Sequence, residues 1–125
     1  MEFYKCQHCT NIVMFIQQSG VVPECCNAKM QKIVENTTDA AVEKHVPDVS
    51  GKTGRVHIQV GNVAHPMLRE HYIEWIAIET LKGVVQIKKL QPNETPEAVF
   101  YVADDDSVIK AYAYCNLHGL WSKTL

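Results

Sequence analysis

Arg55-Val56-His57-Ile58-Gln59-Val60 decides the fold class of the larger part of this chain. Apolar and polar residues alternate along it, so Val56, Ile58 and Val60 would share one face of a β-strand. His57 falls on the opposite face, where a surface histidine is expected. The stretch therefore predicts a strand with one side in a core and the other in solvent.

Further short apolar runs follow along the chain, separated by polar turns. They are predicted as strands at residues 72–79, 84–90, 98–102 and 108–114. Helical periodicity is weak, and the three aspartates at 104–106 indicate a solvated turn. Short strands at this spacing are typical of an antiparallel β-sandwich of about seven strands.

The last of these strands leads into Cys115-Asn116-Leu117-His118, which sets a thiolate and an imidazole three residues apart. Both groups bind transition metals, and this spacing lets them share one ion. Three more histidines lie in predicted loops or at predicted strand edges: His45, His65 and His71. Two of them have prolines nearby, Pro47 and Pro66. Proline keeps the neighbouring backbone extended, which suits ligands presented by rigid loops. We therefore hypothesise a metal site at these five residues.

The N-terminal region carries a second group of metal-binding side chains. Cys6-Gln7-His8-Cys9 forms a C-x-x-C knuckle, and Cys25-Cys26 adds two thiolates. Four thiolates favour a tetrahedral zinc or iron site, and a region this small needs the metal for stability. We expect a structural site, with His8 exposed. The side chains of adjacent cysteines diverge, so binding one ion through both Cys25 and Cys26 should strain the tetrahedron. A short strand is predicted at residues 12–16, and the domain boundary is placed after residue 36.

Composition narrows the function classes. The net charge is −2 with acidic and basic residues interspersed, which argues against a nucleic-acid-binding surface. No apolar run approaches the length of a membrane span, and the first residues lack the pattern of a signal peptide. Clustered cysteines favour metal binding in a reducing compartment. These features predict a soluble, cytoplasmic protein.

The motifs taken together resemble those of the two-iron superoxide reductases, the desulfoferrodoxins. The resemblance covers essentially the whole chain and rests on six motifs: Tyr4-Lys5-Cys6-x-x-Cys9, Cys25-Cys26, Glu43-Lys44-His45-Val46-Pro47, His65-Pro66-Met67, His71-x-Ile73-Glu74-Trp75-Ile76 and Cys115-Asn116-Leu117-His118-Gly119-x-Trp121.

The resemblance implies a mostly β protein with two iron ions per chain. A desulforedoxin-like module, residues 1–36, would hold one iron through Cys6, Cys9, Cys25 and Cys26. An immunoglobulin-like antiparallel β-sandwich, residues 37–125, would hold the catalytic iron through four equatorial histidines and an axial cysteine: His45, His65, His71, His118 and Cys115. The backbone amides of Leu117 and His118 are placed to donate hydrogen bonds to the Cys115 sulfur.

The resemblance also implies a reaction, the one-electron reduction of superoxide to hydrogen peroxide. Lys44 would attract the anion, and Glu43 would occupy the open position of the oxidised iron. An external donor such as rubredoxin would return the electron, and the protein would be a homodimer. The N-terminal iron is expected to have a structural or accessory role.

Three other functions stay open. The chain could be a rubredoxin-like electron carrier without catalysis, or a zinc-stabilised regulatory module. Superoxide dismutase activity at the same iron site is a closer alternative, because the substrate is the same. The metal content, the visible spectrum and the peroxide formed per external electron distinguish these functions.

Overall fold

The computed structural model describes residues 1–38, 40–61 and 63–125. They form two compact units, Met1–Val34 and Glu35–Leu125. Nearly all regular structure is antiparallel β-strand, so the predicted fold class is confirmed. Within the described residues, no helix has the length and apolar character needed to cross a membrane.

The first unit is built from very short strands. They are β1 (Phe3–Lys5), β2 (Ile12–Met14), β3 (Glu24–Cys25), β4 (Ala28–Lys29) and β5 (Gln31–Lys32). Three form a sheet in the order β2-β1-β5, and β3 pairs with β4 as a separate hairpin. The strand predicted at 12–16 ends two residues early.

The second unit is a sandwich of two antiparallel sheets. Its elements are α1 (Val42–His45), β6 (Pro47–Ser50), β7 (Gly54–Val60), β8 (Ile73–Thr80), β9 (Val85–Lys89), β10 (Glu97–Val102), β11 (Val108–Cys115) and β12 (Gly119–Thr124). One sheet has the order β10-β7-β6 and the other β12-β11-β8-β9. The seven strands match the predicted number.

The core lies between these two sheets. Val56, Ile58 and Val60 on β7 are fully buried, as their alternation predicted, and His57 lies on the other face, 3.1 Å from the carboxylate of Glu97. The facing sheet contributes buried residues of β8 and β11: Ile73, Ile76, Ile78, Ala111, Ala113 and Cys115. Cys115 therefore belongs to the same apolar core that holds the sandwich together.

Three elements of the second unit have no counterpart among the predicted ones. Strands β6 and β12 lie outside the predicted strands, and α1 lies where a loop is predicted. The helix is a single turn, closed by a 3.0 Å hydrogen bond from the Val46 N–H to the Val42 carbonyl. One turn is too short to produce a helical repeat of apolar residues, so its sequence carries no periodic signal.

The aspartate turn also differs from the prediction. The first two aspartates are exposed, but Asp106 is buried. Its carboxylate accepts hydrogen bonds from the Thr80 hydroxyl at 2.6 Å and the Lys82 N–H at 3.0 Å. The Thr80 bond is the main cause that lowers the pKa of the Asp106 carboxyl. This side chain joins the start of β11 to the end of β8.

Replacing a core isoleucine tests the sandwich. Ile58→Ala should lower the free energy of unfolding by roughly 2–5 kcal/mol, because it removes a buried side chain and leaves a cavity. Ile87→Ala makes the same change on β9, where the side chain is 48% exposed, and should cost much less. Denaturant unfolding of both metal-loaded variants measures the difference. Equal losses would contradict the assignment of Ile58 to the core.

Candidate metal centres

Nine predicted metal ligands come together in two clusters of the described residues. One contains His45, His65, His71, Cys115 and His118, and the other Cys6, Cys9, Cys25 and Cys26. Within each cluster the potential ligand atoms lie within 4.8 Å of one another. We call them the His4Cys site and the four-cysteine site. Each could hold one metal ion.

The four imidazoles of the His4Cys site form a nearly square ring. Neighbouring ring centroids are 4.7 Å apart for His45 and His65, 4.7 Å for His65 and His71, 5.0 Å for His71 and His118, and 4.8 Å for His118 and His45. The His45–His71 diagonal is 6.5 Å, close to the side multiplied by √2. Neighbouring planes are nearly perpendicular, so the four edges point toward a common centre.

Hydrogen bonds to backbone carbonyls establish the tautomers of two rings. His45 Nδ1 lies 2.6 Å from the Ala41 carbonyl, and His65 Nδ1 lies 2.6 Å from the Pro66 carbonyl. A carbonyl only accepts, so both Nδ1 atoms must carry the proton. In the neutral rings, both Nε2 atoms therefore present lone pairs. These two atoms are only 3.1 Å apart, with no proton to share.

The rings of His71 and His118 also present nitrogens that a metal ion could bind. His71 Nε2 is buried and finds no hydrogen-bond partner among the residues that the structure describes. His118 approaches through its other nitrogen, with Nδ1 3.0 Å from His45 Nε2. Metal–nitrogen bonds of about 2.1 Å at right angles place neighbouring nitrogens about 3.0 Å apart. The donor set therefore fits a transition-metal ion, and His118 would bind through Nδ1.

Burial keeps the imidazoles in their metal-binding form. His45 and His65 are almost completely buried, and desolvation lowers the pKa of both, that of His65 to about 4. Desolvation also lowers the pKa of His71, and the positive charge of Lys44 acts in the same direction. These three rings are neutral near pH 7, so their lone pairs are available to a cation.

Cys115 lies on the core side of the site and is fully buried. The pairing of β11 with β8 shifts there, because Tyr114 lies opposite Trp75 whereas Cys115 lies opposite Ile73. Such a bulge re-aims the side chains beside it. Burial raises the pKa of the Cys115 thiol, while hydrogen bonds from the His118 and Leu117 N–H groups oppose this rise. Those two bonds are the ones predicted from the sequence.

The turn that carries His45 depends on a glycine. Gly61 has φ of +83°, and its N–H donates to the Val46 carbonyl at 3.0 Å. A Cβ at this position would lie 2.7 Å from both the Glu43 carbonyl oxygen and the Lys44 carbonyl carbon. The Val63 N–H adds a 3.2 Å bond to the Glu43 carbonyl. Only glycine allows this close approach, which fixes α1 and the His45 backbone.

Trp121 supports two ligands, a role that its sequence motif does not reveal. Its buried ring stacks on the His45 ring, with centroids 4.9 Å apart and planes at 25°. Its Nε1–H donates to the His118 carbonyl at 3.0 Å. Trp121 belongs to the final motif, but a motif letter does not show which neighbours a side chain touches.

Glu43 and Lys44 lie on the exposed surface of α1, immediately before His45. Neither belongs to the clustered ligand atoms. The positive charge of Lys44 lowers the pKa of His45 and of His71, in both cases after the larger effect of burial. Its field therefore reaches the imidazole ring. Glu43 lines a cavity of about 150 Å³ with Asp48 and Lys123.

In the four-cysteine site, a tight turn brings the adjacent cysteines together. Cys26 and Asn27 connect β3 to β4 and have φ of 53° and 60°. Positive φ at both central residues is typical of a type I′ hairpin turn. The left-handed conformation costs Cys26 about 1–2 kcal/mol, but it leaves the Cys25 and Cys26 sulfurs 4.0 Å apart. The strain that the structure shows therefore lies in the backbone, whereas the sequence placed it in the tetrahedron.

The sulfur arrangement suits a tetrahedral metal ion. The Cys9 and Cys25 sulfurs are 3.6 Å apart, and metal–sulfur bonds of about 2.3 Å in a tetrahedron would separate them by about 3.8 Å. Hydrogen bonds, chiefly from the His8 N–H at 3.3 Å, lower the pKa of the Cys6 thiol to about 6. The surrounding sulfurs raise the pKa of Cys26 to about 12, an increase that a bound cation would offset. His8 is exposed, as expected.

Comparisons with known proteins identify the family to which the chain is similar. The desulfoferrodoxin family model matches residues 37–124. A desulfoferrodoxin from Nitratidesulfovibrio vulgaris is 44% identical over 120 residues, which cover 96% of this chain and 93% of that protein. A desulfoferrodoxin homolog from Archaeoglobus fulgidus is 43% identical over 121 residues, covering 97% and 94%.

Similarity extends to a solved structure. The superoxide reductase from Treponema pallidum superimposes with a TM-score of 0.81 at 38% sequence identity, and the match covers 98% of each chain. The family-model match and the near-complete coverage of the relatives lead to one conclusion. This chain belongs to the desulfoferrodoxin family.

Proposed function

We propose that this chain is a superoxide reductase whose active centre is an iron ion in the His4Cys site. The observation that carries the proposal is the 3.1 Å approach of the His45 and His65 Nε2 atoms. Both present lone pairs, so the contact is repulsive without a cation between the ligands. Family membership then favours iron and superoxide over other metals and substrates.

Five side chains would hold this iron: His45, His65 and His71 through Nε2, His118 through Nδ1 and Cys115 through Sγ. When bound, iron supplies a one-electron couple at a position that a small anion can reach. Each superoxide takes one electron and two protons and leaves as hydrogen peroxide, and an external donor restores the electron. Cys115 is sealed in the core while His71 and His118 keep some exposure, which supports entry of the anion from the histidine side.

Lys44 would attract the incoming superoxide, and Glu43 would act in the oxidised state. Lys44 is exposed beside His45, and its charge already affects the neighbouring imidazoles, so it can attract superoxide to a protein that is acidic overall. We assign to Glu43 the role of an alternative anionic ligand in the oxidised state. Its place on the turn that carries His45 supports this role.

Cys115 would tune the centre through its sulfur. A thiolate donates electron density to a bound iron, and hydrogen bonds to the sulfur moderate that donation. The N–H groups of Leu117 and His118 are the donors here. The turn at 115–118 therefore supplies two ligands and the hydrogen bonds that adjust one of them.

We assign a second iron to the four-cysteine site, in a domain comprising residues 1–36, with the catalytic domain at 37–125. The compact units and the range of the family match support this division. A structural or accessory role is proposed for this iron, because few apolar side chains are buried around it. Rubredoxin or a similar protein as electron donor, a homodimeric assembly and a cytoplasmic location complete the proposal by analogy with the family.

Metal content and spectrum test the proposal. The purified full chain should contain two irons and, when oxidised, show a visible thiolate-to-iron band from the His4Cys site. Cys115→Ser should abolish that band and nearly all superoxide reduction, because serine cannot replace the thiolate. His57→Ala, which removes a histidine outside the site, should preserve both.

The reaction product distinguishes the alternative activities. A reductase forms one hydrogen peroxide for each external electron, whereas a dismutase forms peroxide without consuming electrons. Zinc at the His4Cys site of the active protein would contradict the proposal, as would superoxide-dependent peroxide formation that uses no donor.

Lys44→Ile should slow the second-order reaction with superoxide by about tenfold and flatten its dependence on ionic strength, because a local attractive charge is lost. Lys52→Ile makes the same charge change at the opposite end of β11, where the Lys52 carbonyl accepts from Val108. Pulse radiolysis of both variants provides the rates. Equal rates in the two variants would exclude steering by Lys44.

Glu43→Ala should still reduce superoxide, but its oxidised site should bind azide more tightly because the competing carboxylate is gone. Titration with azide, followed in the visible spectrum, measures the affinity. Asp48→Ala removes a nearby exposed carboxylate and should leave it unchanged. An azide affinity of Glu43→Ala that matches the wild type would refute the proposed ligand role.

A further inference from the structure

His71 is held differently from the two other histidines that present Nε2. His45 and His65 each donate from Nδ1 to a carbonyl 2.6 Å away, which fixes the orientation of the ring. Within the described residues, no such hydrogen bond orients the His71 ring, although its Nε2 is buried in the donor set. Its position must therefore be set through the backbone that carries it.

That backbone is held on both sides by a single side chain. Asn116 Nδ2 donates to the Glu70 carbonyl at 3.0 Å, and Asn116 Oδ1 accepts from the Tyr72 N–H at 3.0 Å. The amide thus bonds to the residue before His71 and to the residue after it. The Asn116 N–H adds a 3.2 Å bond to the Tyr72 carbonyl.

The other side of the segment is closed by a small backbone bridge. Leu68 and His71 exchange N–H to carbonyl bonds of 2.9 and 3.0 Å, which folds residues 68–71 into a turn. This bridge shapes the turn but does not connect it to a strand. Asn116 makes that connection, at the end of β11 next to Cys115.

We infer that Asn116 is a positioning residue, whose side-chain amide fixes His71 relative to Cys115. The inference rests on the proposed metal-binding function of the His4Cys site. The amide suits this role because it offers one donor and one acceptor, which match a carbonyl and an N–H two residues apart. The β-bulge beside Cys115 brings the end of β11 alongside Tyr72, within reach of the bonds.

The Asn116 amide would couple the positions of two ligands, His71 and Cys115. Cys115 and Asn116 are consecutive, so any movement of the 70–72 backbone acts on the strand end that carries the thiolate. Loss of the amide should weaken metal binding through His71 and also alter the environment of the Cys115 sulfur. Groups that orient metal ligands typically account for about 10–100-fold in metal affinity.

The test uses the full chain loaded with iron and challenged with a chelator, because its two sites provide an internal reference. Asn116→Ala should lose iron from the His4Cys site about 10–100-fold more readily than the wild type and shift the visible thiolate band. The four-cysteine site should retain its metal unchanged. Asn116→Asp, nearly the same size, keeps the acceptor for Tyr72 but loses the donor to Glu70, and should change both readouts in the same direction.

A matched control comes from a second asparagine clamp. Asn36 donates from Nδ2 to the Ser122 carbonyl at 3.4 Å and accepts from the Ser122 N–H at 2.9 Å. Asn36→Gly removes these two bonds and the 3.2 Å bond from Asn36 Nδ2 to the Ser122 hydroxyl, and glycine tolerates the positive φ of 60° at this position. This variant should lose stability without changing the thiolate band or the chelator resistance of the His4Cys site.

Three outcomes would overturn the inference. If both Asn116 variants keep the wild-type iron affinity and an unchanged thiolate band, the positioning role of Asn116 is excluded while the proposed function stands. If the Asn116 variants lose metal equally from the four-cysteine and His4Cys sites, Asn116 contributes to general stability and does not position His71. Absence of metal from the His4Cys site of the wild type would overturn the proposed function as well, which separates the two failures.

Discussion

Convergence of five electron-pair donors on one point is the constraint around which the larger unit is built. Uncharged nitrogens with facing lone pairs repel each other at 3.1 Å, and a buried thiol among them resists ionisation. Neither arrangement would persist in a flexible chain. The folded sandwich must therefore supply the energy that holds the ligands together, and a cation converts that repulsion into binding.

The sandwich meets this constraint by placing one ligand in its core and the others at its end. Cys115 occupies a core position on β11, so apolar packing holds its sulfur in place. The histidines come from connecting segments, where backbone carbonyls, a stacked Trp121 and a glycine-dependent turn hold them. Rigid support from several directions gives loop residues the precision that strands provide for Cys115.

Features with a simple sequence period or a specific motif were predictable. Alternation on β7 identified the core face, and the motifs identified the residues that gather in both sites. Features that depend on three-dimensional neighbours were not. The sequence does not distinguish Asp106, which is buried, from the two exposed aspartates before it. It also does not show that His118 turns Nδ1 toward the centre of the site, whereas His45 and His65 present Nε2. Such choices are made by hydrogen-bond partners distant in sequence.

The two sites differ in what holds their ligands in place. The ligands of the four-cysteine site come from segments within 21 residues of one another in a unit where only Phe3, Cys6 and Met30 are buried apolar residues. A core that small contributes little, so a metal ion held by the four cysteines would supply much of the stability of this unit. The His4Cys ligands span residues 45–118 and are attached to a full apolar core. Loss of metal there would leave the sandwich folded, with only local repulsion to relieve. With the proposed metals, binding would be a condition of folding for the first unit and a property of an already folded scaffold for the second.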